Sequence, residues 1–134
     1  MKIPVPEGAC DTHIHFYDEK LPVAAGTFMP GPFPVEFRQS NAEHQIVDWI
    51  HEAIDRGAGI VINPAGLTFR SIPILDALKM FPGPIFELHS TNVHRREAIY
   101  HDSLISSVAT AVLMGLGPDG YPTAVAAMVR LLAK

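Results

Sequence analysis

The sequence predicts an α/β protein built on a doubly wound parallel sheet, and three observations carry that prediction. From Val35 onward, short β-branched runs alternate with segments whose apolar residues recur at helical spacing. The runs at 59–63, 84–88 and 108–113 are largely apolar throughout, the pattern of strands buried on both faces of a parallel sheet. The stretches between strands hold helical crossovers, which parallel neighbours require and which cover both faces of the sheet.

Taken in order, six of the twelve prolines fall in the first 34 residues (Pro4, Pro6, Pro22, Pro30, Pro32 and Pro34), so this region reads as loop with one short strand at 9–16. The texture changes at Pro34-Val35, dividing an N-terminal segment, 1–34, from a domain at 35–134. Residues 35–39 read as a strand. Residues 45–56 read as a helix with Ile46, Trp49, Ile50 and Ala53 on one face, ended by Gly57. After the strand at 59–63, Ser71 caps a helix running to about Met80, with Pro73 tolerated in its first turn. Pro82-Gly83 turns the chain into the strand at 84–88. The strand at 108–113 precedes a last helix, 121–132, with Val125, Met128, Val129 and Leu132 inward.

The 134 residues suit one compact domain, with 48% apolar and 18% charged residues. A formal net charge of −4 and no basic run argue against nucleic acid and anionic membranes as partners. The single cysteine, Cys10, permits no intramolecular disulfide, and no stretch reads as a signal peptide or a membrane span; the expectation is a cytoplasmic protein.

In a doubly wound sheet ligands bind beyond the carboxyl ends of the strands, so the residues just past each strand are the candidates. Asn63-Pro64-Ala65-Gly66 can present an amide and backbone N–H groups, although such a turn is also ordinary connector chemistry. Glu87 and His89, two apart, share one face of their strand. A carboxylate beside an imidazole fixes its tautomer and makes His89 a candidate general acid or base; the alternative is a histidine satisfying a strand-end hydrogen bond. Asn92-Val93-His94-Arg95-Arg96 gathers donors for a carboxylate or polyol, or else forms a solvated helix start. His13 and His15 have the spacing of two metal ligands on one strand, but His44, His51, His94 and His101 offer no third by spacing, and no metal is assigned.

In order and spacing, Glu36-Phe37-Arg38-Gln39-Ser40-Asn41, Val47-Asp48-Trp49-Ile50-His51-Glu52-Ala53, Gly59-Ile60-Val61-Ile62-Asn63-Pro64, Glu87-Leu88-His89, Asn92-Val93-His94-Arg95-Arg96-Glu97 and Gly115-Leu116-Gly117…Gly120-Tyr121 resemble type II 3-dehydroquinate dehydratases. The resemblance covers residues 35–134. It implies a flavodoxin-like sheet, a homo-oligomer of trimers assembled into a dodecamer, and no cofactor. It also implies a lyase that converts 3-dehydroquinate to 3-dehydroshikimate through an enolate. On the matched positions, His89 is the general acid for the departing hydroxyl and Glu87 orients it. Asn63 binds substrate hydroxyls, Ser90 and Thr91 hold the substrate carboxylate, Asp76 approaches from the neighbouring subunit, and Arg96 lines the site.

The sequence departs from the family pattern where Phe69 replaces a substrate-binding histidine and Tyr100 a substrate-binding arginine. The family's first strand, first helix and the loop with its catalytic tyrosine and arginine are replaced by the Pro-rich segment, and Tyr17 is the nominee for a substitute base without a matched motif. Gly8-Ala9-Cys10-Asp11-Thr12-His13-Ile14-His15-Phe16-Tyr17-Asp18 resembles instead the opening of metal-dependent amidohydrolases, over about 1–33. A barrel of typically ~250 residues does not fit this chain, so that activity is not carried over. Three readings follow: a dehydratase, a catalytically inactive relative that binds a cyclic polyol acid or serves in assembly, and a metal-dependent hydrolase that rests on His13 and His15 alone. The strand at 9–16 is expected to fill the slot of the missing first strand.

Overall fold

The computed structural model describes the backbone of His13–Tyr17 and residues 35–134. Its main elements are β1 (His13–Tyr17), β2 (Val35–Gln39), α1 (Glu43–Arg56), β3 (Ile60–Asn63), α2 (Ile72–Met80), β4 (Ile85–His89), β5 (Ala111–Met114) and α3 (Gly120–Leu132), with short 3-10 turns in the connections. The five strands form one sheet in the order β2-β1-β3-β4-β5. β3, β4 and β5 run parallel.

The fold is the flavodoxin-like α/β arrangement the sequence predicts, with one difference inside it. The vacant slot between β2 and β3 is filled by β1, but β1 is antiparallel to both neighbours: His13 is in register with Gln39 and Asn63, Phe16 with Glu36 and Ile60, and Tyr17 with Val35. Residues 9–12 of the expected strand lie outside the described residues. The reversal has a topological reason. Antiparallel neighbours can be joined at one end of the sheet, and Tyr17 lies in register with Val35, whereas a parallel pair would need a crossover.

The core divides into two layers, as alternation along the strands dictates. On one face Ile60, Ile62 and Ile85 pack with Ile46, Ile50 and Ala53 of α1 and with Ile74, Leu75, Ala77 and Leu78 of α2. On the other, Val61, Phe86 and Leu88 pack with Ala124, Val125, Met128 and Val129 of α3. Helices cover both faces, as a sheet with apolar residues on each side demands. Outside the core, β2 is strapped to α1: Arg38 Nη1 donates to Glu52 Oε2 at 2.6 Å, and the Arg38 guanidinium lies 5.6 Å from the centre of the Trp49 ring.

Local chemistry sets the element ends. Ser71 caps α2, its Oγ accepting from the Ile74 N–H at 3.1 Å, with Pro73 in the first turn where no N–H is needed. α1 begins at Glu43, two residues before the predicted start. β5 begins at Ala111, not at 108. The apolar Val108 and Ala109 spend their N–H groups on the Ile105 carbonyl, in the last turn of a 3-10 segment, and cannot join the ladder.

Candidate active site

β4 is an inner strand, and its carboxyl end carries the site. Ile85 points to the α1–α2 face, so Glu87 and His89 follow it there, while Phe86 and Leu88 anchor the strand to α3. Glu87 is 0% exposed and His89 6%. An ionised carboxylate buried to this degree needs partners for both oxygens, and Glu87 has them. Its Oε1 lies 2.8 Å from His89 Nε2 and accepts from the Thr68 hydroxyl at 2.7 Å and the Ser103 hydroxyl at 2.6 Å. Its Oε2 accepts a short hydrogen bond from the Ser106 hydroxyl.

Burial pushes the Glu87 carboxyl up, but the hydrogen bonds from His89, Ser103, Ser106 and Thr68 together outweigh it and hold the group below the ordinary glutamate range. Because a carboxylate only accepts, Nε2 of His89 is the protonated ring nitrogen in this pair, and Nδ1 is the one not engaged with Glu87. An imidazole fixed in tautomer and orientation in this way is equipped for proton transfer.

Beside His89 stands an aromatic wall. Phe69, at the end of the 3-10 turn Ala65–Phe69, stacks against the His89 ring, and Tyr100 meets Phe69 edge-on with centroids 5.5 Å apart. The Arg96 guanidinium lies over the Tyr100 ring, 3.7 Å from its centre. The contacts thus run from His89 through two rings to a cation, which places Arg96 at the same end of the sheet as His89.

The other predicted residues are distributed differently. Asn63 is buried at the end of β3, but its amide serves α3 and its own turn: Nδ2 donates to the Tyr121 hydroxyl at 2.7 Å and Oδ1 accepts from the Ala65 N–H at 3.1 Å. Ser90 and Thr91 follow His89 directly, and the Ser90 carbonyl accepts from the Gly117 N–H at 2.9 Å, joining the loops that follow β4 and β5. The loop after β5 makes this approach with Gly115 at φ 87° and Gly117 at φ 56°, a backbone form that favours glycine. Asp76 is apart from these groups. It lies on the exposed face of α2, where Lys79 pairs with it at 3.1 Å.

Sequence reasoning misses Thr68, Ser103, Ser106 and the Tyr121 hydroxyl as parts of the site. Single hydroxyl residues carry no spacing signature, and those on Glu87 lie 16 to 19 residues from it. The available signal is an inference from need: a buried glutamate must find donors, and residues 103–107 supply three serines just before the next strand. As for the sequence's other nominee, Tyr17 is in register with Val35 at the amino end of the sheet, while His13 is in register with Asn63 at the carboxyl end. Among the described residues no group of three histidine, cysteine, aspartate or glutamate side chains could hold a metal ion.

A flavodoxin-like sheet with a buried carboxylate–imidazole pair at the carboxyl end of an inner strand defines an α/β protein equipped for acid–base chemistry. The family model described as dehydroquinase class II matches residues 25–129, and the chain belongs to that family. Over 89 residues it is 54% identical to a 3-dehydroquinate dehydratase of Bartonella bacilliformis, covering 66% of this chain and 56% of that one. Over 98 residues it is 46% identical to a 3-dehydroquinate dehydratase of Agrobacterium fabrum, covering 73% and 67%. The crystal structure of a type II dehydroquinase from Propionibacterium acnes superposes with a TM-score of 0.67 at 36% identity, covering 69% of this chain and 64% of that one. The chain therefore spans between about half and two-thirds of the length of these relatives.

Proposed function

We propose that this protein is a hydro-lyase that dehydrates 3-dehydroquinate to 3-dehydroshikimate. The observation that carries the reading is the buried Glu87–His89 pair, in a chain whose curated relatives are named 3-dehydroquinate dehydratases. In the reaction a base removes a proton from the carbon beside the ketone, giving an enolate. Collapse of the enolate expels the hydroxyl from the next carbon, which leaves as water with a proton from His89. Glu87 keeps the imidazole oriented and stabilises its charged form until that transfer. Ser90 and Thr91 take the substrate carboxylate through backbone and hydroxyl donors, Asn63 its hydroxyls, and Arg96 lines the mouth.

Asp76 meets the site from a neighbouring subunit of a trimer, four of which form the dodecamer. In support, Asp76 shares the outer side of α2 with Ile72, 53% exposed, and Met80, 62% exposed, apolar area that another copy would cover. Among the described residues no helix is long and apolar enough to cross a membrane.

One observation favours a second reading. Tyr17, at the amino end of the sheet, is removed from His89, which leaves the proton-abstracting step without this chain's nominated tyrosine and fits an inactive relative that binds a cyclic polyol acid or serves in assembly. The absorbance of the product enone separates the two. A rise when purified protein meets 3-dehydroquinate, reduced about 10²–10⁴-fold by His89→Ala, supports the lyase. No rise from folded protein assigns the chain to the inactive reading.

A further inference from the structure

Glu87 is held by more than the histidine it serves. Ser103 and Ser106, three residues apart, come from one short segment and grip different oxygens of the carboxylate, Ser103 at Oε1 and Ser106 at Oε2. The segment is itself braced. The Ser106 N–H donates back to Ser103 Oγ at 3.1 Å, and Ser107 Oγ donates to the Leu104 carbonyl at 2.6 Å. The Leu104 N–H donates to the Thr68 carbonyl at 2.9 Å, and Ile105, 0% exposed, is wedged into the core. The Thr68 hydroxyl closes the ring, touching both Glu87 Oε1 and Ser103 Oγ.

We infer that Ser103, Ser106 and Thr68 are positioning residues that clamp the Glu87 carboxylate in one plane and one rotamer, and that through it they aim the His89 ring. A carboxylate gripped at one oxygen still swings about its terminal bond; one gripped at both does not. The clamp also gives a buried anion donors at both oxygens, and His89 is the one titratable side chain in contact with it among the described residues. The inference deepens the role proposed for His89, yet its test does not depend on turnover.

The test is a double-mutant cycle read by acid unfolding. Ser106 is exposed, so Ser106→Ala leaves the core intact while removing the donor to Oε2. Loss of a donor to the anion raises the folded carboxyl, so the acid unfolding midpoint should move up by about half a pH unit or more. Ser106→Thr, which keeps the hydroxyl, should restore it, and in a Glu87→Gln background Ser106→Ala should leave the midpoint unmoved. The same shift in both backgrounds, or no shift in either, overturns the clamp. If the enzyme turns over, the acid limb of kcat/KM should move in the same direction in Ser106→Ala. Absence of turnover with the cycle intact counts against the proposed reaction and leaves the clamp standing.

Discussion

The imidazole of His89 lies nearly parallel to the phenyl ring of Phe69, with planes 20° apart and centroids separated by 6.3 Å. The neighbour of this imidazole is therefore an apolar surface, with no donor or acceptor of its own.

Phe69→His keeps a planar ring at this position and adds a polar edge. If the ring meets the substrate, one new hydrogen bond to a hydroxyl is worth about 1.4 kcal/mol, and KM for 3-dehydroquinate should fall about tenfold with a smaller change in kcat. Steady-state kinetics of enone formation give the answer. An unchanged KM would mean that position 69 packs against His89 without touching substrate.

Glu87 predicts an acid-dependent share of stability. Its folded carboxyl sits below the ordinary range, so its contribution is fully present above the unfolded value, about 4.3, and is lost as pH falls through the folded one. Glu87→Gln should cost about 1–3 kcal/mol at pH 7, and the gap from wild type should shrink as pH falls below about 4.3. Urea unfolding at pH 7, 5, 4 and 3 measures it. A gap independent of pH would show that the loss comes from geometry alone.

The turn after β3 holds the one non-glycine residue with positive φ among the described residues, Ala65 at 47°. Gly66 beside it has open space where a side-chain carbon would stand. The two residues are in the less favourable order. Ala65→Gly removes a left-handed alanine, and Gly66→Ala restricts the unfolded chain without a clash, so exchanging them should stabilise the protein by about 1–2 kcal/mol. Chemical denaturation of the double variant checks this; a loss of stability would mean that the Asn63–Ala65 hydrogen bond needs the alanine geometry.

Much of this architecture was legible from the residues. The apolar Ile60-Val61-Ile62 run is a strand buried on both faces, Ser71 caps the helix it was expected to cap, and the two-residue spacing of Glu87 and His89 predicts their contact. Strand direction was not legible, because alternation of period two reads the same forwards and backwards, and the sense of β1 emerges only from its register with β2 and β3. The start of β5 was misplaced because Val108 has strand composition while its N–H is taken by a turn. The hydroxyls around Glu87 were invisible for a different reason: their role is set by tertiary contact, and nothing local marks it.

The reversed central strand bears on how the sheet is closed. A slot flanked by β2 and β3 demands an extended backbone whose N–H and C=O groups answer those on either side, and five residues running either way meet that demand. The middle of this sheet is thus closed by backbone pairing alone, while the carboxyl ends of β3 and β4, which carry Asn63 and His89, are built by strands on one side of it.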